Sequence, residues 1–145
     1  MWNILNKNRC ETLADIFRDS IKFKKDYLDA VIKILLSDYK DSLEAGDLIC
    51  ISRGSLYYLS WIEENSIIDE REYSENEKQY YMESMEWLGY TLQSWYEDFG
   101  ITGKDICSKL KKEDFEWLIS NWSILHTQDT KYVLEETKTT RKINL

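Results

Sequence analysis

No proline occurs in the 145 residues. Proline removes an N–H donor and clashes with the preceding turn, so a chain without it is free to form long unbroken helices. The apolar pattern fits that freedom. Between residues 11 and 39, Leu13, Ile16, Phe17, Ile21, Phe23, Tyr27, Leu28, Val31, Ile32, Leu35, Leu36 and Tyr39 recur at the spacing of a buried helix face. The stripe loses regularity at Lys22–Lys25, which predicts two helices meeting there. Asp41-Ser42 then predicts the cap of a short turn closed by Gly46.

The clearest helix opens at Ser74-Glu75-Asn76-Glu77, a capping box in which the serine oxygen takes the N3 amide and Glu77 reaches back. Its stripe is Tyr81, Met85, Leu88, Leu92, Trp95, Tyr96 and Phe99, and Gly100 stands where a left-handed residue would stop it. Thr102 and Asp105 cap the next helix, with Ile106 and Leu110 inward. Asp114 is expected to cap another, carrying Phe115, Leu118, Ile119, Trp122 and Leu125. Trp95 and Trp122 are therefore expected in the core. A helix from about Ser55 to Glu64, capped by Ser55 or Ser52, precedes a charged loop over 65–73.

The expected fold is all-α: a compact bundle of five to seven helices in one domain, 1–145. Leu48-Ile49-Cys50-Ile51 and residues 132–134 leave room for one minor strand pair. A loose basic tail, 138–145, carries Lys138, Arg141 and Lys142.

Composition narrows the function. The chain is 43% hydrophobic and 14% aromatic, which suits a packed globule rather than a disordered segment. Nineteen basic against 27 acidic residues give a net charge of −8, which argues against a general nucleic-acid binder. No apolar run approaches the ~20 residues of a membrane span, and the first residues lack a secretory pattern. Cys10, Cys50 and Cys107 are widely spaced, with no Cys-x-x-Cys, and predict three reduced thiols in a cytoplasmic protein. His126 is the only histidine. It reads as a helix C-terminal residue meeting free carbonyls, so neither a metal, nor a cofactor, nor a catalytic residue is expected. A small enzyme built around His126 is the weakest of three readings.

Between Glu63 and Glu86, nine acids face only Arg71 and Lys78, so most of the net charge lies in this segment. Tyr73, Tyr80 and Tyr90 lie in or beside it. Charge with aromatic anchors is the composition of a protein-binding surface. Asp69, Glu70, Glu72, Tyr73, Tyr80, Glu83 and Tyr90 are therefore the candidate partner-binding residues, and the partner is expected to be a protein with a basic surface.

Gly100-Ile101-Thr102-Gly103-Lys104-Asp105 and Leu125-His126-Thr127-Gln128, followed by Lys131 to Glu136, carry a resemblance. Residues 82–136 resemble a family of small bacterial helical proteins known as a domain of unknown function. Its pattern is a Thr-Gly-Lys turn and a helix ending in Leu-His-Thr-Gln. Residues 1–80 have no counterpart in it. Such proteins are often encoded beside ADP-ribosyltransferase-like toxins, so the resemblance implies an antitoxin or immunity-like partner. It implies no catalytic residues. Physically, Thr102 is a cap, Gly103 a close-approach position and His126-Thr127-Gln128 a polar helix stop.

The expected function is thus a non-enzymatic, protein-binding inhibitor of a bacterial toxin. The alternative is a phage or mobile-element protein whose acids mimic phosphates to block a nucleic-acid-handling defence enzyme.

Overall fold

The computed structural model describes residues 2–47, 49, 50, 53–65 and 68–145. Among these the fold is all-α, with nine helices and a single isolated bridge, Lys25 to Glu70. They are α1 (Ile4–Lys22), α2 (Tyr27–Leu36), α3 (Asp38–Glu44), α4 (Ser55–Asn65), α5 (Glu75–Phe99), α6 (Gly103–Lys109), α7 (Lys112–Ser120), α8 (Trp122–Leu125) and α9 (Thr130–Arg141).

The capping chemistry sets the ends. Ser74 and Glu77 form the predicted box at the start of α5, and Gly100 ends it in the left-handed region at φ 70°. Thr102 and Asp105 form the second box, opening α6. The α1–α2 break falls where the stripe faltered.

Among the described residues nine helices stand where five to seven were expected, because short polar residues split two stretches. Ser37 ends α2 and caps α3 at once, so Asp41 lies inside a helix rather than capping one. Asn121 separates α7 from α8. Asp114 sits at the third position of α7, where its carboxylate accepts from the Lys111 amide at 2.8 Å. The strand pair does not form: 132–134 belong to α9, and Ile49 and Cys50 are helical. Leu48, Ile51 and the Ser52 cap lie outside the described residues. Ser55 spends its hydroxyl on Asp19 of α1. The tail is not loose. Its first residues finish α9, the Arg141 Nε donates to Asp114 at 2.8 Å, and Ile143 and Leu145 pack on the core.

The two longest helices, α1 and α5, lie along each other and organise the rest. Leu13, Ile16 and Phe17 of α1 and Met85, Leu88, Leu92 and Trp95 of α5 are fully buried between them. At one end Glu97 gathers Asn6 Nδ2, Arg9 Nε and Gln93 Nε2 at 2.8–2.9 Å. Around this pair, α4 packs on α1, α9 and α7 pack on α5, and α6 and α7 pack on α2. Lys40 of α3 is buried with its ammonium on Glu44. Burial pulls its pKa down while Glu44 opposes that, the balance expected of a buried pair.

Candidate functional site

The sequence-predicted residues fall into three places. Asp69, Glu70 and Glu72 are exposed on the loop before α5, which is docked rather than free. The Asp69 carbonyl accepts from the Asp26 amide at 2.9 Å, Glu70 lies 3.8 Å from Lys25, and Glu72 lies 3.5 Å from Lys24. Tyr73 and Tyr80 are not spare anchors. The Tyr73 hydroxyl donates to the Lys25 carbonyl at 2.8 Å and accepts from the Tyr27 amide at 2.9 Å. The Tyr80 hydroxyl donates to the Ile119 carbonyl at 2.5 Å, and its ring meets Trp122 edge-on.

Glu83 and Tyr90, by contrast, reach a groove. They stand on the solvent stripe of α5 together with Glu86 and Trp87, the i, i+3, i+4, i+7 series of one helix face. Opposite them α1 presents Glu11 and Asp15, four residues apart on one face. His126 and Gln128, just beyond α8, line the groove too. The cavity between these elements is about 420 Å³, and Thr91 also lines it. Glu83 and Glu86 are shared with a neighbouring cavity of about 470 Å³, bordered by Arg18, Lys78 and Met82. Glu75 and Lys78 carry the surface on to a smaller cavity of about 220 Å³ beside Glu72 and Tyr73. The acidic segment and the His126–Gln128 motif thus border one continuous surface.

The charge here is carboxylate-rich and ordered. Arg18 holds Asp19 at 2.9 Å, Asp15 at 3.1 Å and Glu86 at 2.9 Å. Burial raises the pKa of Asp15, with Asp19 and Glu86 adding to the rise and Arg18 opposing it. At Asp19 burial is outweighed by the hydrogen bonds from Arg18 and Ser55, and the pKa is lowered. His126 is exposed, stacks on Trp122 with ring centroids 4.7 Å apart, and places Nδ1 2.7 Å from the Trp122 carbonyl. That is the helix-end role its position predicted. Trp122 itself is only half-buried, because α8 is a single turn at the surface.

The other half of the resemblance motif is a fold joint. A Cβ on Gly103 would stand 2.4 Å from the Leu35 carbonyl oxygen, and the Gly103 amide donates to Glu44 at 2.8 Å. Lys104 pairs with Asp41 at 2.8 Å. Leu125 is buried, and the Thr127 hydroxyl donates to the Ile124 carbonyl at 2.9 Å.

Glu11, Asp15, Arg18, Trp87 and Thr91 were not singled out from sequence. The α1 residues share a helical face, but nothing local says that this face meets α5. The three cysteines are unpaired, and burial pushes Cys10 up to about 12 and Cys107 up to about 11. Among the described residues, no group of His, Cys, Asp and Glu is arranged to hold a metal ion, and no helix is long and apolar enough to cross a membrane. The chain matches no protein-family model, no curated protein and no solved structure.

Proposed function

We propose that this chain is a non-enzymatic, protein-binding inhibitor that captures a basic partner on the α1–α5 groove, as a cytoplasmic antitoxin or immunity-like protein does. One observation carries the reading. Carboxylates from two helices, Glu11, Asp15, Glu83 and Glu86, gather beside Trp87 and Tyr90 along one concave surface. Such a surface attracts a basic patch by its field and holds it by aromatic burial. The resemblance of 82–136 adds the toxin as the class of partner. Glu75, Glu83 and Glu86, exposed along α5, support the alternative reading as a phosphate-mimicking inhibitor of a nucleic-acid-handling enzyme.

The test is co-expression with the product of the adjacent gene. That product should arrest growth alone, be harmless beside this chain and co-purify with it. Growth arrest that persists beside the soluble chain, with no complex formed, overturns the antitoxin reading. A complex with a nuclease or other nucleic-acid enzyme, competed by DNA, selects the alternative.

A further inference from the structure

We infer that the face formed by residues 108–112 and 138–145 binds the phosphate backbone of a nucleic-acid duplex. This face stands apart from the acidic groove and does not depend on that groove being an interface.

The two segments hold six bases, Lys109, Lys111, Lys112, Lys138, Arg141 and Lys142, and no acid, in a chain whose net charge is −8. The fold brings them together. Arg141 Nε, at the end of α9, donates to one oxygen of Asp114 at 2.8 Å, and the other oxygen accepts from the Lys111 amide at 2.8 Å. Ser108 and Lys109 of α6 line one cavity of about 150 Å³ with Asn144 and Leu145. Arg141 is engaged by Asp114, and Lys138 lies 3.9 Å from Glu135. Lys109, Lys111, Lys112 and Lys142 are exposed, and none has a carboxylate at ion-pair distance among the described residues.

Helix stability does not account for this placement. Lys109, Lys138 and Arg141 complement the negative ends of α6 and α9, but Lys111 and Lys112 open α7, where the helix dipole disfavours a cation. Four unpaired ammonium groups on one face attract an anion of several charges. None of the exposed large apolar side chains among the described residues lies in these segments. A protein interface is centred on aromatic and apolar anchors, and a single strand is held by bases stacked on exposed rings. This face offers neither. It offers lysine ammonium groups with Thr139 and Asn144 exposed beside them, the donors that contact phosphates without reading sequence.

The net negative charge lies elsewhere. Thr130 lines the acidic groove at the start of α9, and the 12 residues of that helix put Arg141 about 17 Å away. That is about two Debye lengths at ~0.15 M salt, so the groove's field is largely screened at the basic face.

The experiment follows the fluorescence anisotropy of a labelled mixed-sequence DNA duplex of about 20 base pairs as the whole chain is added at ~0.05–0.2 M salt. The logarithm of the binding constant should fall against the logarithm of salt with a slope of about −3 to −4, near 0.9 for each unpaired lysine. Lys111→Gln with Lys112→Gln should weaken binding about tenfold or more at ~0.05 M salt and reduce the slope by about 2. Lys109→Gln with Lys142→Gln should do the same from the other two elements. Lys7→Gln with Lys22→Gln makes the same change in charge on exposed α1 positions and should alter binding by less than about twofold. All six positions are exposed, so folding is not at stake.

No binding by the parent chain at ~0.05 M salt overturns the inference. Equal losses from all three pairs overturn it in favour of net charge, and a loss confined to one of the two pairs on the face overturns the single surface. Poly-glutamate displacing the duplex at equal charge shows a site for an acidic protein instead, and tighter binding of the single strand overturns the duplex.

Discussion

Gly89 of α5 meets Leu13 of α1 so closely that a Cβ at 89 would stand 2.6 Å from the Leu13 carbonyl oxygen. The next nearest atom is the Ala14 Cα at 2.9 Å, so backbone blocks the position and no rotamer change relieves it. In an isolated helix, glycine costs about 1 kcal/mol against alanine. Here the order reverses. Gly89→Ala should lose about 1–3 kcal/mol through overpacking, whereas Gly54→Ala, with nothing within 4 Å, should change little. Urea denaturation checks both, and a Gly89→Ala protein as stable as the parent would mean that the α1–α5 contact is looser than described.

Trp95 and Trp122 differ in a way their equal places on a stripe did not foretell. Trp95 is fully buried and its Nε1 donates to the Thr130 carbonyl at 3.0 Å. Trp95→Ala should cost about 3–5 kcal/mol. Trp122→Ala removes a half-buried ring that meets Tyr80 edge-on and stacks on His126, and should cost less than half as much. Thermal melts showing equal losses would contradict the shallow placement of α8.

Arg71 fixes the acidic loop. Its guanidinium lies 5.5, 4.9 and 5.3 Å from the ring centroids of Tyr27, Tyr73 and Tyr81, and 3.3 Å from Glu77. Arg71→Ala should cost about 1–2 kcal/mol and speed amide exchange over 69–73. Arg71→Lys should restore only part, since an ammonium does not stack as a plane. Unchanged exchange in Arg71→Ala would show the loop to be held by its backbone bonds alone.

Alkaline pH should weaken the fold partly through Cys10. Burial pushes this thiol from its ordinary 9.0 up to about 12. The native state therefore keeps a proton that the unfolded chain releases, so stability is lost as pH rises past 9. Cys10 alone contributes about 1 kcal/mol of loss by pH 10. Cys10→Ala should flatten the decline between pH 9 and 11 relative to the parent. Parallel curves would mean that Cys10 ionises normally in the native protein.

How far these features can be read from sequence depends on how local their causes are. The boxes at Ser74–Glu77 and Thr102–Asp105, the stop at Gly100 and the helix-end position of His126 involve residues within four positions of each other, and each was legible. Ser37 was not, because Asp41-Ser42 offers equally good capping chemistry and only packing chooses between them. Tyr73 and Tyr80 looked like surface anchors because their acceptors, the carbonyls of Lys25 and Ile119, lie 48 and 39 residues away. The groove was half legible for the same reason. Glu83 and Tyr90 are marked by the acidic run, but Glu11 and Asp15 join them only through the register that Gly89 sets against Leu13.

Charge on the loop and charge in the groove should act differently on partner capture. Glu70 and Glu72 are partly answered by Lys25 and Lys24, and all three loop acids are exposed, so they contribute field more than contact. Changing Asp69, Glu70 and Glu72 together to Ser should slow association by ~3–10-fold, flatten its salt dependence and leave dissociation unchanged. Glu11→Gln with Glu83→Gln removes carboxylates from the concave surface without touching the Arg18 cluster. That pair should also speed dissociation, because a group in contact acts on the complex itself rather than on its encounter. Stopped-flow association and surface-plasmon dissociation at ~0.05 and ~0.3 M salt separate the two, since the Debye length falls below 10 Å across that range. If neither variant alters the rates while the complex still forms, the acidic face is only solvated, and the interface must be sought over residues 100–128 instead.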